Sequence, residues 1–93
     1  MKQAEFDKKT AIEQLVDVMT MLRNPEFGCP WDIEQTIRSL VPFTLEEVYE
    51  VVDAIDVGDT IELEEELGDL LFQVVFYSQI AKEEGDFDFD GVA

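Results

Sequence analysis

The sequence predicts an all-α fold, a helical bundle that a second subunit completes. Three observations carry this expectation. Apolar residues recur at three- and four-residue spacing along most of the chain. Helix-stopping and helix-starting residues (Asn24-Pro25, Pro42, Gly58-Asp59, Gly85) cut that pattern into helix-length pieces. No stretch alternates apolar and polar side chains as a half-buried strand does. The 93 residues suit a single domain, 1–93, with one modest core, and the 46% hydrophobic content is high enough to exclude a disordered chain.

Taken in order, residues 7–23 form the first amphipathic segment, with Ile12, Leu15, Val16, Met19 and Leu22 on one face. Asn24-Pro25 ends it, because a residue before proline avoids the α region. Residues 24–31, with two prolines and a glycine, are a loop. Asp32 then suits an N-cap, with Gln35 at the third position after it, and a short helix runs to about Leu40 until Pro42 closes it. Thr44 and Glu47 repeat the capping spacing and open a helix to about Val57, whose apolar arc is Leu45, Val48, Val51, Val52 and Ile55. Gly58 fits the position just past its end. Asp59 caps the longest helix, about 60–84, which Gly85 terminates. Residues 67–81 of that helix are apolar nearly all round, which marks a helix buried on most sides. In so short a chain this points to a second subunit. The acidic tail opens one further helix. Its Asp86-Phe87-Asp88-Phe89-Asp90-Gly91 run matches the start of a calcium loop, but helix capping accounts for it better, since the closing glutamate would fall past Ala93.

The formal net charge of −17, from 23 acidic and 6 basic residues, excludes several classes of function. Nucleic acid and anionic membranes both require Lys and Arg. One cysteine, Cys29, and no histidine exclude an internal disulfide, a Cys/His zinc site and a Ser-His or Cys-His catalytic pair. The start, Met1-Lys2-Gln3-Ala4-Glu5, lacks the apolar run of a signal peptide, and no stretch approaches the ~18 apolar residues of a membrane span. A soluble, cytoplasmic protein is expected. Bound divalent cations would relieve the self-repulsion of so dense a negative field.

Two patterns carry chemistry: Glu46-Glu47-x-x-Glu50, and Glu66-x-x-Asp69 on the next helix. Residues three apart on a helix are neighbours, so each pattern presents two carboxylates on one face. Glu50 lies 8 positions before Gly58 and Glu66 lies 8 after it; Glu47 lies 11 before and Asp69 lies 11 after. In an antiparallel hairpin about that turn, the four stand level in pairs across axes about 8–10 Å apart. Glu47 falls beside Val51 and Ala54 at the apolar arc, whereas Glu46 points further out. Asp69 sits among Leu67, Leu70 and Leu71, where a lone carboxylate would be costly. Several together call for cations, and oxygen ligands alone select Mg²⁺ or Mn²⁺, with Ca²⁺ as an alternative. Glu47 also fits a simple capping partner, and Glu62, Glu64 and Glu65 fit a solvated acidic first turn.

The segments Leu22-Arg23-x-Pro25-x-x-Gly28-Cys29-Pro30-Trp31-Asp32-x-x-Gln35-Thr36, Glu46-Glu47-x-x-Glu50 and Glu66-Leu67-Gly68-Asp69-Leu70-Leu71-x-Gln73-Val74-Val75-Phe76 together resemble the MazG nucleotide pyrophosphohydrolases, over most of residues 12–92. The resemblance implies an α-helical fold that dimerises as a homodimer or higher homo-oligomer. It also implies Mg²⁺-dependent hydrolysis of nucleoside triphosphates to the monophosphate and pyrophosphate. By this resemblance the metal ligands are Glu47, Glu50, Glu66 and Asp69; a carboxylate such as Glu50 is the candidate to orient the attacking water, and Glu46, which belongs to the motif but points further out on the helical wheel, stands behind the ligands. Trp31 is a candidate to stack on a base, and Arg23 and Arg38 are candidates to touch phosphate. The chain departs from the family pattern at Ile37, where His often follows Gln-Thr, and in stopping at Ala93, before the family's basic C-terminal helical segment. The alternative implied by that departure is a non-catalytic dimerisation or regulatory domain of a larger tandem protein.

Overall fold

The computed structural model describes residues 3–93, all helix and connecting loop. Met1 and Lys2, part of the segment inspected for a signal peptide, lie outside the described residues. The order is α1 (Gln3–Asp7), α2 (Ala11–Leu22), α3 (Pro30–Glu34), a 3₁₀ turn (Arg38–Leu40), α4 (Val41–Val57), α5 (Thr60–Glu83) and α6 (Phe89–Val92). No helix among the described residues is long and apolar enough to cross a membrane.

Local chemistry explains most boundaries. The first amphipathic segment is split: α2 begins at Ala11 rather than at residue 7, because Thr10 and Glu13 form a capping box, with Glu13 N donating to Thr10 Oγ1 and Thr10 N to Glu13 Oε1. The loop after Leu22 is tied by Gly28 N to Asn24 O at 2.8 Å and Cys29 N to Leu22 O at 2.9 Å. A Cβ on Gly28 would lie 2.3 Å from the Leu22 carbonyl oxygen, so only glycine permits that approach.

Three expected boundaries are corrected. Asp32 is not an N-cap; α3 starts one turn earlier, with Pro30 in its first turn, and Asp32 is buried inside it. The helix expected to reach Leu40 stops at Glu34, with Gln35 extended at its end. Pro42 opens α4 instead of closing its predecessor, since first-turn N–H groups have no helical partner to lose. Thr44 therefore lies within α4, its hydroxyl donating to Leu40 O, and Glu47 is free of any capping duty.

The α4–α5 turn follows expectation. Gly58 adopts φ +81°, and Asp59 Oδ1 accepts from Ile61 N and Glu62 N. The core gathers Met19, Leu40, Val75, Phe76 and Ile80, with Ile12, Leu15, Val16, Phe72, Tyr77 and Phe89 against it. It lies under the C-terminal half of α5. The N-terminal half of α5 packs against α4, and the apolar arc of α4 faces away from this core: Leu45, Val48, Tyr49, Val52 and Ile55 are exposed, and only Ala54 on α4 is buried.

Candidate metal centre

The face of α4 opposite that exposed arc meets α5, and there the acidic residues converge. One carboxylate oxygen from each of Glu47, Glu66 and Asp69 lies within 4.8 Å of the others. Glu50, one turn from Glu47, is near enough for its carboxylate to raise the proton affinity of Glu66. Glu46 is exposed on the outer side of α4. The turn at Gly58 thus brings the two acidic patterns together across the hairpin.

Electrostatics make the cluster expensive without a partner. Glu66 is pushed up to about 8, chiefly by sharing its proton with Glu50 and then with Glu47, and further by burial. Glu47 is raised as well, first by burial and then by the charges of Glu50 and Asp69. Glu47 Oε1 and Glu66 Oε2 are buried and have no hydrogen-bond partner. Buried acceptors left orphaned in this way carry a desolvation penalty that a cation between them would remove. The donor set is hard oxygen throughout, which suits Mg²⁺ or Mn²⁺.

The other candidates lie on α3, on the 3₁₀ turn and at the end of α2. Trp31 on α3 packs edge-to-face on Phe43, with centroids 5.4 Å apart, and on Phe76 at 6.4 Å, leaving 48% of its surface exposed. Arg38 is exposed on the 3₁₀ turn and makes no hydrogen bond or ion pair among the described residues. Arg23 stands apart from the expectation that it touches phosphate. Its Nη1 donates to the carbonyls of Asp32, Ile33 and Gln35, and its Nε and Nη2 make a bidentate pair with Glu83. The side chain is 9% exposed and clamps α2, α3 and the end of α5. Sequence reasoning missed this clamp, because only the fold brings Glu83 to a residue 60 positions away.

The chain matches the MazG nucleotide pyrophosphohydrolase domain over residues 35–93. It belongs to the MazG family. Over 81 residues it is 59% identical to a nucleoside triphosphate pyrophosphohydrolase of Escherichia coli (strain K12), an alignment covering 87% of this chain and 31% of that protein. Over 80 residues it is 51% identical to the nucleoside triphosphate pyrophosphohydrolase/pyrophosphatase MazG of Thermotoga maritima, covering 86% of this chain and 31% of that one. This MazG chain therefore spans about a third of the length of these relatives. Its fold is similar to the crystal structure of a mazG-related protein from Thermotoga maritima, with a TM-score of 0.71 and 28% identity over 86% of this chain and 68% of that one.

Proposed function

We propose that this MazG domain is a nucleoside triphosphate pyrophosphohydrolase, hydrolysing the bond between the α- and β-phosphates of NTPs or dNTPs with Mg²⁺ as cofactor. The observation that carries the reading is the pair of orphaned carboxylate oxygens on Glu47 and Glu66 within the Glu47–Glu66–Asp69 carboxylate cluster. Glu47, Glu50, Glu66 and Asp69 would hold the metal, with Mn²⁺ as its alternative. Mg²⁺ there would neutralise charge on the triphosphate and make water a better nucleophile. Glu50, at the edge of the cluster, orients the attacking water and accepts its proton. Glu46 supports the ligands from the outer side of α4. Trp31 offers its exposed ring face to the base, and Arg38 reaches toward phosphate from the turn before α4. Arg23 acts as the structural clamp and leaves phosphate alone. The printed names of the relatives support the substrate class.

We further propose that a second copy covers the apolar face of α4 and the N-terminal half of α5, giving a homodimer.

The test is release of pyrophosphate and monophosphate from a panel of NTPs and dNTPs with Mg²⁺, run beside Glu50→Ala. Loss of a water-positioning carboxylate costs roughly 10²–10⁴-fold in rate. Turnover that survives in Glu50→Ala removes that residue from its role. A folded, metal-binding protein without turnover favours the regulatory-domain alternative.

A further inference from the structure

The polar seam between α4 and α5 does not end at the carboxylates. Thr44, one turn before Glu47, and Gln73, one turn after Asp69, meet across the helices with Thr44 Oγ1 3.1 Å from Gln73 Oε1. Tyr77 OH lies 2.5 Å from the same Thr44 oxygen. With Tyr77 donating to Thr44, and the single Thr44 hydroxyl hydrogen shared between Leu40 O and Gln73 Oε1 at 3.1 Å each, the chain of hydroxyls orients the carboxamide by its oxygen. The two Nε2 hydrogens are left without a partner among the described residues, and Gln73 is only half-buried. A carboxamide whose oxygen already accepts a bond is polarised toward stronger donation from its nitrogen.

That leftover donor matters because of what else the seam lacks. No lysine, arginine or histidine lies between residues 41 and 81, the whole span of α4 and most of α5. Of the basic side chains elsewhere, Arg23 is tied to Glu83 and Lys9 to Asp17, and Arg38, unpaired among the described residues, sits on the turn before α4, outside the seam. Gln79, the other carboxamide of α5, is engaged with Thr20 and Glu83. Any side-chain N–H offered to an anion from within this seam must therefore come from Gln73.

We propose that Gln73 is a substrate-contact residue, its anchored carboxamide donating from Nε2 to a phosphate oxygen of a nucleotide seated at the carboxylate cluster. Thr44 and Tyr77 are positioning residues that hold the amide in that orientation. The proposal rests on the nucleoside triphosphate reading above. It assigns to a neutral side chain the direct phosphate contact that the cluster's own charge forbids to its carboxylates.

The test is calorimetric titration of a non-hydrolysable α,β-methylene nucleoside triphosphate in Mg²⁺, on the wild-type chain, Gln73→Met and Gln73→Glu, with melting in Mg²⁺ alone measured in parallel. Gln73→Met should weaken nucleotide binding by about 10-fold or more, the loss typical of a hydrogen bond to a charged group. Its melting-temperature rise in Mg²⁺ alone should match the wild type. Gln73→Glu preserves shape, should weaken nucleotide binding further by repulsion, and should keep or enlarge the response to Mg²⁺. Binding by both variants within about two-fold of the wild type would overturn the proposal while leaving the triphosphate reading intact. A wild-type protein that binds no nucleotide would overturn both, and the wild-type titration alone identifies that case.

Discussion

At the scale of single residues, the cluster holds a raised proton affinity, and in the proposed function that proton competes with a cation for the same oxygens. In the folded protein Glu66 keeps its proton to about 8, against an ordinary value of 4.5. A carboxyl whose folded value is raised stabilises the fold fully below the unfolded value, and that contribution is lost as pH rises through the folded value. Glu47 is shifted in the same direction. In EDTA, the melting temperature should therefore decline between about pH 5 and pH 8, and Glu66→Gln, which cannot ionise, should flatten the decline. Parallel curves for the two proteins would show that Glu66 does not hold its proton there. Glu13 and Glu83 are shifted downward by Thr10 and Arg23 respectively, so their contribution is lost below about pH 4.5, outside that window. Adding Mg²⁺ at pH 8 reverses the decline, since a ligand bound only by the folded state stabilises it by about 2.7 kcal/mol at a hundredfold excess over Kd. For a chain of this size that is a rise of roughly 10–20 °C. Asp69→Asn should lose most of the rise, and a full rise in that variant would remove Asp69 from the ligand set.

At the scale of elements, Arg23 matters most outside the cluster. It caps the C-terminal carbonyls of α3 and locks α2 to the last turn of α5. Arg23→Ala leaves three carbonyls short of a donor and should cost about 2 kcal/mol or more, seen as a melting temperature lower by ~8–16 °C. Arg23→Lys should recover only part of it, because an ammonium cannot form the bidentate pair with Glu83. A stability unchanged in Arg23→Ala would show the clamp to be idle. The sequence reading located α4, the Gly58 turn, α5 and its Asp59 cap, since each is signalled within a few residues. It failed where two signals of the same kind compete. Asp32 with Gln35 and Thr44 with Glu47 both have the spacing of a capping box, yet prolines at 30 and 42 sit in first turns and move each start upstream. Thr10 with Glu13 was the capping box that the structure uses. The convergence of Glu47, Glu66 and Asp69 was legible because spacing about one turn translates directly into neighbours across a hairpin. The Arg23 clamp and the Thr44–Gln73–Tyr77 network were not, because their partners lie 29 to 60 positions apart and meet only after the helices pack.

At the scale of the whole molecule, one question joins the apolar surface to the charge. Tyr49 is 68% exposed and Ile61 76%, and Leu45, Val48, Val52, Ile55, Leu67 and Leu71 are exposed with them on the α4–α5 hairpin. Large apolar side chains exposed together on one hairpin mark an interaction site. A second copy is the partner whose helices match its length and its apolar character, but two chains of −17 each repel one another. Association should therefore tighten with salt, which screens like charges over a Debye length of about 8 Å at physiological ionic strength. It should tighten again with Mg²⁺ if the carboxylate clusters lie near the interface. Sedimentation equilibrium at micromolar concentration should give twice the 10.7 kDa chain mass. Val52→Asp places a charge on the outer face of α4, away from the cluster, and should return the mass to that of one chain while lowering the melting temperature. A wild-type chain that sediments as a monomer at every salt concentration would leave this face to a partner other than a second copy. The carboxylate site would then have to work from a single hairpin.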